Sequence, residues 1–184
     1  MFFCEENEAK LYYLYMLADG EVSDEEEKLF NEICKKLKVE ENEKMSIIEV
    51  CKSMSQKGDK TLDIIMNAGI DISASKSIFN TLRSKADLTR VIWNLINLGY
   101  ADSVYCEAEK QIVNYLVNEW SVDMEIYNEF INTSEVILAL TKQKEWLKSV
   151  NISEVEKHEK EKNINDNIAQ LMNDIKITIS ELEM

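Results

Sequence analysis

No proline occurs anywhere in the 184 residues, and glycine occurs only at Gly20, Gly58, Gly69 and Gly99. Those two residues are the strongest breakers of regular backbone. A chain with so few of them, and rich in Glu, Lys, Leu, Ile and Met, is built almost wholly of helix. The expected fold class is all-α: a bundle of about seven to nine helices.

Helical periodicity and caps divide the chain. A first helix is expected from Glu5 to Ala18, ending at Gly20. Ser23 caps a second, with Glu26 three residues on in capping-box spacing. Its apolar stripe is Leu29, Phe30, Ile33, Cys34 and Leu37. A third runs from Glu41 to Gln56. A short helix over Thr61 to Asn67 and another carrying Ile78, Phe79 and Leu82 follow. Asp87 opens the next, with Val91, Ile92, Leu95, Ile96 and Leu98. Met124 to Val150 reads as one long helix with Ile126, Phe130, Ile131, Val136, Ile137, Leu140 and Trp146 inward. After a break at Asn151-Ile152-Ser153, the tail carries Ile164, Ile168, Leu171, Ile175, Ile179 and Leu182 at spacings of three and four. Such a stripe is buried either on the preceding helix or on a second chain, and folding back is the commoner outcome. The expected division is a helical domain over 1–149 and a C-terminal amphipathic extension over 150–184, packing back or mediating association as a homodimer.

The stretch around Gly20 recurs. Shifted by 83 residues, Ala18, Asp19, Glu26 and Asn31 fall on Ala101, Asp102, Glu109 and Asn114. The stripe of the second helix falls on Ile112, Val113, Leu116, Val117 and Trp120. The chain therefore reads as two copies of one unit: helix, tight turn, acidic helix start, apolar stripe, third helix.

The first copy also matches the second half of an EF-hand loop, with Gly20, Val22 and Glu26 at loop positions 6, 8 and 12. Loop positions 1 and 3 are then Tyr15 and Leu17, which supply no carboxylate. That excludes an EF-hand. Glu26 precedes Leu29, Phe30 and Ile33 by three, four and seven residues, so it lies on the apolar face, as Glu109 does before Ile112, Val113 and Leu116. An acid directed at a core needs a partner: a backbone N–H, a cation or a metal. The structural reading is a cap for each glutamate and a turn for each aspartate. The functional reading joins Asp19, Glu26, Asp102 and Glu109 into one carboxylate group suited to Ca²⁺ or Mg²⁺. Asp24, Glu25 and Glu27 are read as solvated, with a docking patch for a basic partner as the alternative.

The net charge of −14 disfavours nucleic acid as a partner, because neutralising phosphates takes clustered Lys and Arg. No run approaches the length of a membrane span and no leader pattern precedes the first helix. The cysteines Cys4, Cys34, Cys51 and Cys106 form no Cys-x-x-Cys pair and read as reduced thiols. A cytoplasmic protein is expected. His158 stands alone in a charged tail, and no phosphate loop or nucleophile motif is present, so no enzyme is expected. Tyr12, Tyr13, Tyr15, Trp93 and Trp120 are read as core.

The stretch "YLYMLADGEVSDEEEKLFNEICKKL" resembles the TerB-like family of tellurite-resistance-associated proteins, related to the N-terminal domain of membrane-anchored J-proteins. The motif carrying the resemblance is Ala-Asp-Gly-x-aliphatic-x-x-x-Glu after an apolar helix, here Ala18 to Glu26, with a second at Ala101 to Glu109. In the second, Ser103 replaces Gly, Tyr105 the aliphatic and Cys106 the cap. The resemblance covers roughly residues 5 to 130. It implies an all-helical bundle without enzymatic activity. It also implies a non-catalytic binding or scaffold role in tellurite or metal stress, with a protein partner. The family's metal-binding acids map onto Asp19, Glu26, Asp102 and Glu109. The alternative is a pure protein-interaction module, dimeric through the C-terminal helix.

Overall fold

The structure, a computed structural model, describes residues 3–56, 63–65 and 84–183. Among these residues it is all helix, in seven elements: α1 (Phe3–Met16), α2 (Asp24–Leu37), α3 (Glu41–Gln56), α4 (Lys85–Gly99), α5 (Glu107–Glu119), α6 (Met124–Ser149) and α7 (Glu154–Glu181). Of the short helix expected over Thr61 to Asn67, residues 63–65 are described and helical. The helix expected to carry Ile78, Phe79 and Leu82 lies outside the described residues.

Local chemistry sets the helix ends. Ser23 Oγ accepts from the Glu26 N–H at 3.1 Å while Glu26 Oε2 accepts from the Ser23 N–H at 2.8 Å. Ser84 and Asp87 form the same reciprocal pair, so α4 begins at Lys85 and Asp87 is its third residue rather than its cap. Ser153 caps α7 through the Glu156 N–H.

The repeat is present in the backbone itself. Among the described residues, left-handed φ occurs at Gly20 (98°) and Ser103 (72°), and at Lys38 (60°) and Ser121 (51°), each pair 83 residues apart. The bonds recur at the same offset. The Gly20 N–H donates to Leu17 and the Ser103 N–H to Tyr100, both at 3.1 Å. The Val39 N–H donates to Cys34 and the Val122 N–H to Val117, both at 3.0 Å. Helices α2 and α3 start at 24 and 41, α5 and α6 at 107 and 124.

The first helix of each copy is central. α1 buries Ala9 and every residue from Leu11 to Met16, and α4 buries Val91, Ile92, Trp93, Leu95, Ile96 and Leu98. A helix apolar on all sides belongs inside. The five aromatics read as core are all buried. A polar network spans the two central helices: Arg90 donates to both oxygens of the buried Glu8, at 2.8 and 3.2 Å. Tyr12 donates to Glu8 at 2.7 Å and Asn94 to Tyr12 at 2.9 Å.

α7 folds back along α6 and also touches α4. Ile164 and Ile175 are buried in its own chain, and Ile168, Leu171, Ile179 and Leu182 are half-buried. Ile175 joins the main core, whereas Leu147 and Ile164 are buried outside it. The far halves of α6 and α7 thus pack on each other as a two-helix arm, and Lys144 donates across it to Asn165 at 2.9 Å. The sequence reading of α6 is corrected at two positions. Val136 and Trp146 are exposed, because the inward face follows Tyr127, Phe130, Ser134, Ile137 and Leu147 at helical spacing.

Candidate acid site between the two repeats

Glu26 and Glu109 hold equivalent places, each the third residue of the second helix of its copy. Each is 4% exposed. Each caps its own helix: Glu109 Oε2 accepts from the Cys106 N–H at 2.8 Å, matching the Glu26 bond. Cys106 sits as N-cap with extended φ and ψ of −79° and 166°, despite being a weak capping residue. In both copies the cap residue's side chain also bonds the carboxylate.

The two aspartates occupy the turns. Asp19 Oδ1 accepts from the Glu21 N–H at 3.1 Å and Asp102 Oδ1 from the Val104 N–H at 2.8 Å. These are Asx turns, the local use of Asp in a tight bend. Asp24, Glu25 and Glu27 are exposed around the first turn of α2.

The acids of the two copies lie within reach of one another's charge. Burial pushes the Glu109 carboxyl up to about 7, the capping bonds oppose this, and the charges of Glu26 and Asp19 raise it further. Glu26 is also raised, by burial first and then by Asp19 and Asp102, against the pull of Ser23. Neighbouring acids of like sign disfavour ionisation.

One further group belongs here. Tyr15 is fully buried, and its Oη has no hydrogen-bond partner. Leaving a buried hydroxyl unpaired costs about 1–3 kcal/mol. Burial raises its pKa most, followed by the charges of Tyr105, Glu109, Cys106 and Glu26. A Cβ added at Gly99 would lie 2.5 Å from Tyr15 Oη and 2.6 Å from the Tyr105 ring. Gly99 is therefore what admits Tyr15 to this place. Sequence reasoning took Tyr15 as core alone; its hydroxyl beside an acidic turn was the missed signal.

As they stand, no group of three or more His, Cys, Asp or Glu side chains among the described residues is arranged to hold a metal ion. Of the four acids, Glu26 and Glu109 are buried. A pair of carboxylates completed by water fits a divalent cation of the kind that retains its hydration.

The family profile described as "Tellurite resistance protein TerB" matches residues 6–128, about two thirds of the chain. The chain belongs to the TerB family. The match spans both acidic turns and stops early in α6, so nearly all of the α6–α7 hairpin lies beyond it. No curated protein and no solved structure matches the chain. Among the described residues, no helix of this TerB-family chain is long and apolar enough to cross a membrane.

Proposed function

We propose that this TerB-family chain is a non-catalytic cytoplasmic binding protein of a tellurite- or metal-stress system, and that Glu26 and Glu109 bind a divalent cation, with Asp19 and Asp102 at the rim. One observation supports the reading: two glutamates, each from a different copy of the repeat, are buried, and each carboxyl is raised by acids of the other copy. Two ionised carboxylates so placed repel, and a divalent cation relieves both charges at once. The family's association with tellurite resistance supplies the physiological setting, and a protein partner completes the role.

Calorimetric titration with Mg²⁺, Ca²⁺ and Mn²⁺ tests it. The wild-type chain is expected to release or take up heat with saturation, and the Glu26→Gln/Glu109→Gln double variant to show none. Absence of binding to all three ions by the wild-type chain removes the cation site.

A second reading, a protein-interaction module, draws on Trp146 and Val155, which are 60% and 78% exposed on the arm. Exposed tryptophan is a common anchor of protein interfaces. With Ile164 and Ile175 turned into their own chain, Trp146 and Val155 offer exposed apolar surface to a second copy. Sedimentation of the full chain decides: a monomer at high concentration removes the homodimer.

A further inference from the structure

α6 carries a second stripe on the side away from the core. Asn132, Val136, Ala139, Gln143 and Trp146 are all exposed and recur at alternating spacings of four and three. That is the seven-residue repeat by which one helix seats along another. Val136 is 47% exposed and Trp146 60%, so large apolar side chains on this stripe have little cover from their own chain. Along one edge of it stand Glu135 and Lys142, one repeat apart, with Ala139 almost midway between them. Such an edge is complementary to itself. Turned end for end, Glu135 of one copy meets Lys142 of another, and Lys142 meets Glu135.

We propose that this face of α6 seats a second copy of the chain, packed antiparallel about a twofold axis beside Ala139, so that the two α6–α7 arms form a four-helix arrangement. This rests on the interaction-module reading above and adds the surface and the orientation. Charge selects the occupant. Two chains of net charge −14 repel one another, so a second copy approaches by its least acidic surface. From 132 to 149, α6 holds three lysines (Lys142, Lys144, Lys148) against two glutamates (Glu135, Glu145), a net charge of +1. So small a charge draws neither a strongly basic nor a strongly acidic partner, whereas the Glu135–Lys142 pattern fits a copy of itself. A twofold contact needs a patch that matches itself in this way. Side-chain size agrees with the placing of the axis. Ala139 is the smallest residue of the stripe and lets the two backbones come close where they cross. Trp146 of each copy then lies over the opposite end of the other stripe, near Asn132. Glu135 also bonds the Tyr100 hydroxyl, and a carboxylate has room to accept from both partners.

Sedimentation equilibrium of the full chain reads the association, and circular dichroism checks that each variant is folded. The wild-type chain is expected to form a concentration-dependent dimer. Ala139→Glu sets two like charges on the axis and is expected to leave a monomer. Trp146→Ala is expected to weaken the dimer by about tenfold, as loss of an aromatic anchor does. Glu135→Lys and Lys142→Glu are each expected to weaken it by about tenfold, because both edge pairs turn from attraction to repulsion. Mixing those two variants is expected to restore the wild-type strength as a heterodimer, since every edge pair is again of opposite sign. A merely structural effect of either substitution would persist in the mixture. A wild-type monomer at high concentration overturns this inference and the homodimer beneath it, and leaves the face to a different partner. A wild-type dimer indifferent to Ala139→Glu and Trp146→Ala overturns this inference alone, the copies then meeting elsewhere. A dimer broken by those two, but with no recovery on mixing, overturns the antiparallel packing. Should Glu135→Lys not fold, Ala139→Glu and Lys142→Glu decide: a dimer as strong as wild type in either refutes the proposal.

Discussion

Arg90 holds Glu8 with both ends of its guanidinium, joining residues 82 positions apart on the two central helices. Glu8 has no exposed side-chain surface, while Arg90 is 35% exposed. Burial alone would lower the Arg90 pKa, but its bonds to Glu8 outweigh that and hold it above its ordinary value. The pair ties the first helix of one copy to the first helix of the other.

Arg90→Ala therefore takes the guanidinium away from a buried carboxylate. Removing one member of a buried pair costs about 3–5 kcal/mol. Urea unfolding should show a lower midpoint with an unchanged slope, and adding Glu8→Gln should recover part of the loss. An Arg90→Ala chain as stable as wild type would show the pair to be idle.

The acid pair makes a signed statement about pH. Glu109 ionises at about 7 in the folded chain, against 4.5 for an ordinary glutamate. Below 4.5 it is protonated in both states and its contribution to stability is complete. Between 4.5 and 7 the unfolded chain gives up the proton while the folded chain keeps it, so stability falls as pH rises; above 7 the loss is complete. The cost is on the order of 2 kcal/mol. Glu109→Gln should flatten this part of the stability–pH curve, measured as the wild-type minus variant difference. Equal slopes for both chains would contradict the shifted carboxyl.

The two described glycines are required for different reasons. Gly20 has φ of +98° with open space around it, so Gly20→Ala costs backbone strain alone, about 1–2 kcal/mol. Gly99 has ordinary backbone but no room, so Gly99→Ala must displace Tyr15 or Tyr105, at about 1–3 kcal/mol. Ser103, at the Gly20 position of the second copy, carries the same strain with φ of 72°. Ser103→Gly should raise stability by up to about 1 kcal/mol. Thermal unfolding of the three variants checks the order, and destabilisation by Ser103→Gly would refute it.

The arm should open separately from the body. Ile164 is buried against α6 away from the main core, whereas Ile175 belongs to it. Ile164→Asp should abolish amide protection across the far halves of α6 and α7 and leave α1 and α4 protected. Ile175→Asp should lower protection everywhere. Hydrogen exchange reads both, and global loss from Ile164→Asp would mean that the arm and body fold as one unit.

Much of this was legible in the sequence because it is local. Absence of proline, the Ser23–Glu26 cap and the stripe of α2 act over three or four residues, and the 83-residue offset exposed the repeat even where Cys106 and Ser103 had replaced the motif's own residues. Periodicity also placed Glu26 and Glu109 inward, and the structure buries both.

What the sequence alone determined is therefore the helices, their ends and the two-copy plan, since hydrogen bonds and apolar faces within a helix depend on near neighbours. Only the tertiary structure decided that Arg90 meets Glu8, that Leu147 and not Trp146 faces inward, that the tail lies on its own chain and that the Tyr15 hydroxyl is buried against Gly99. Those outcomes join residues tens of positions apart, and they depend on which helix packs against which, a choice that no local pattern encodes.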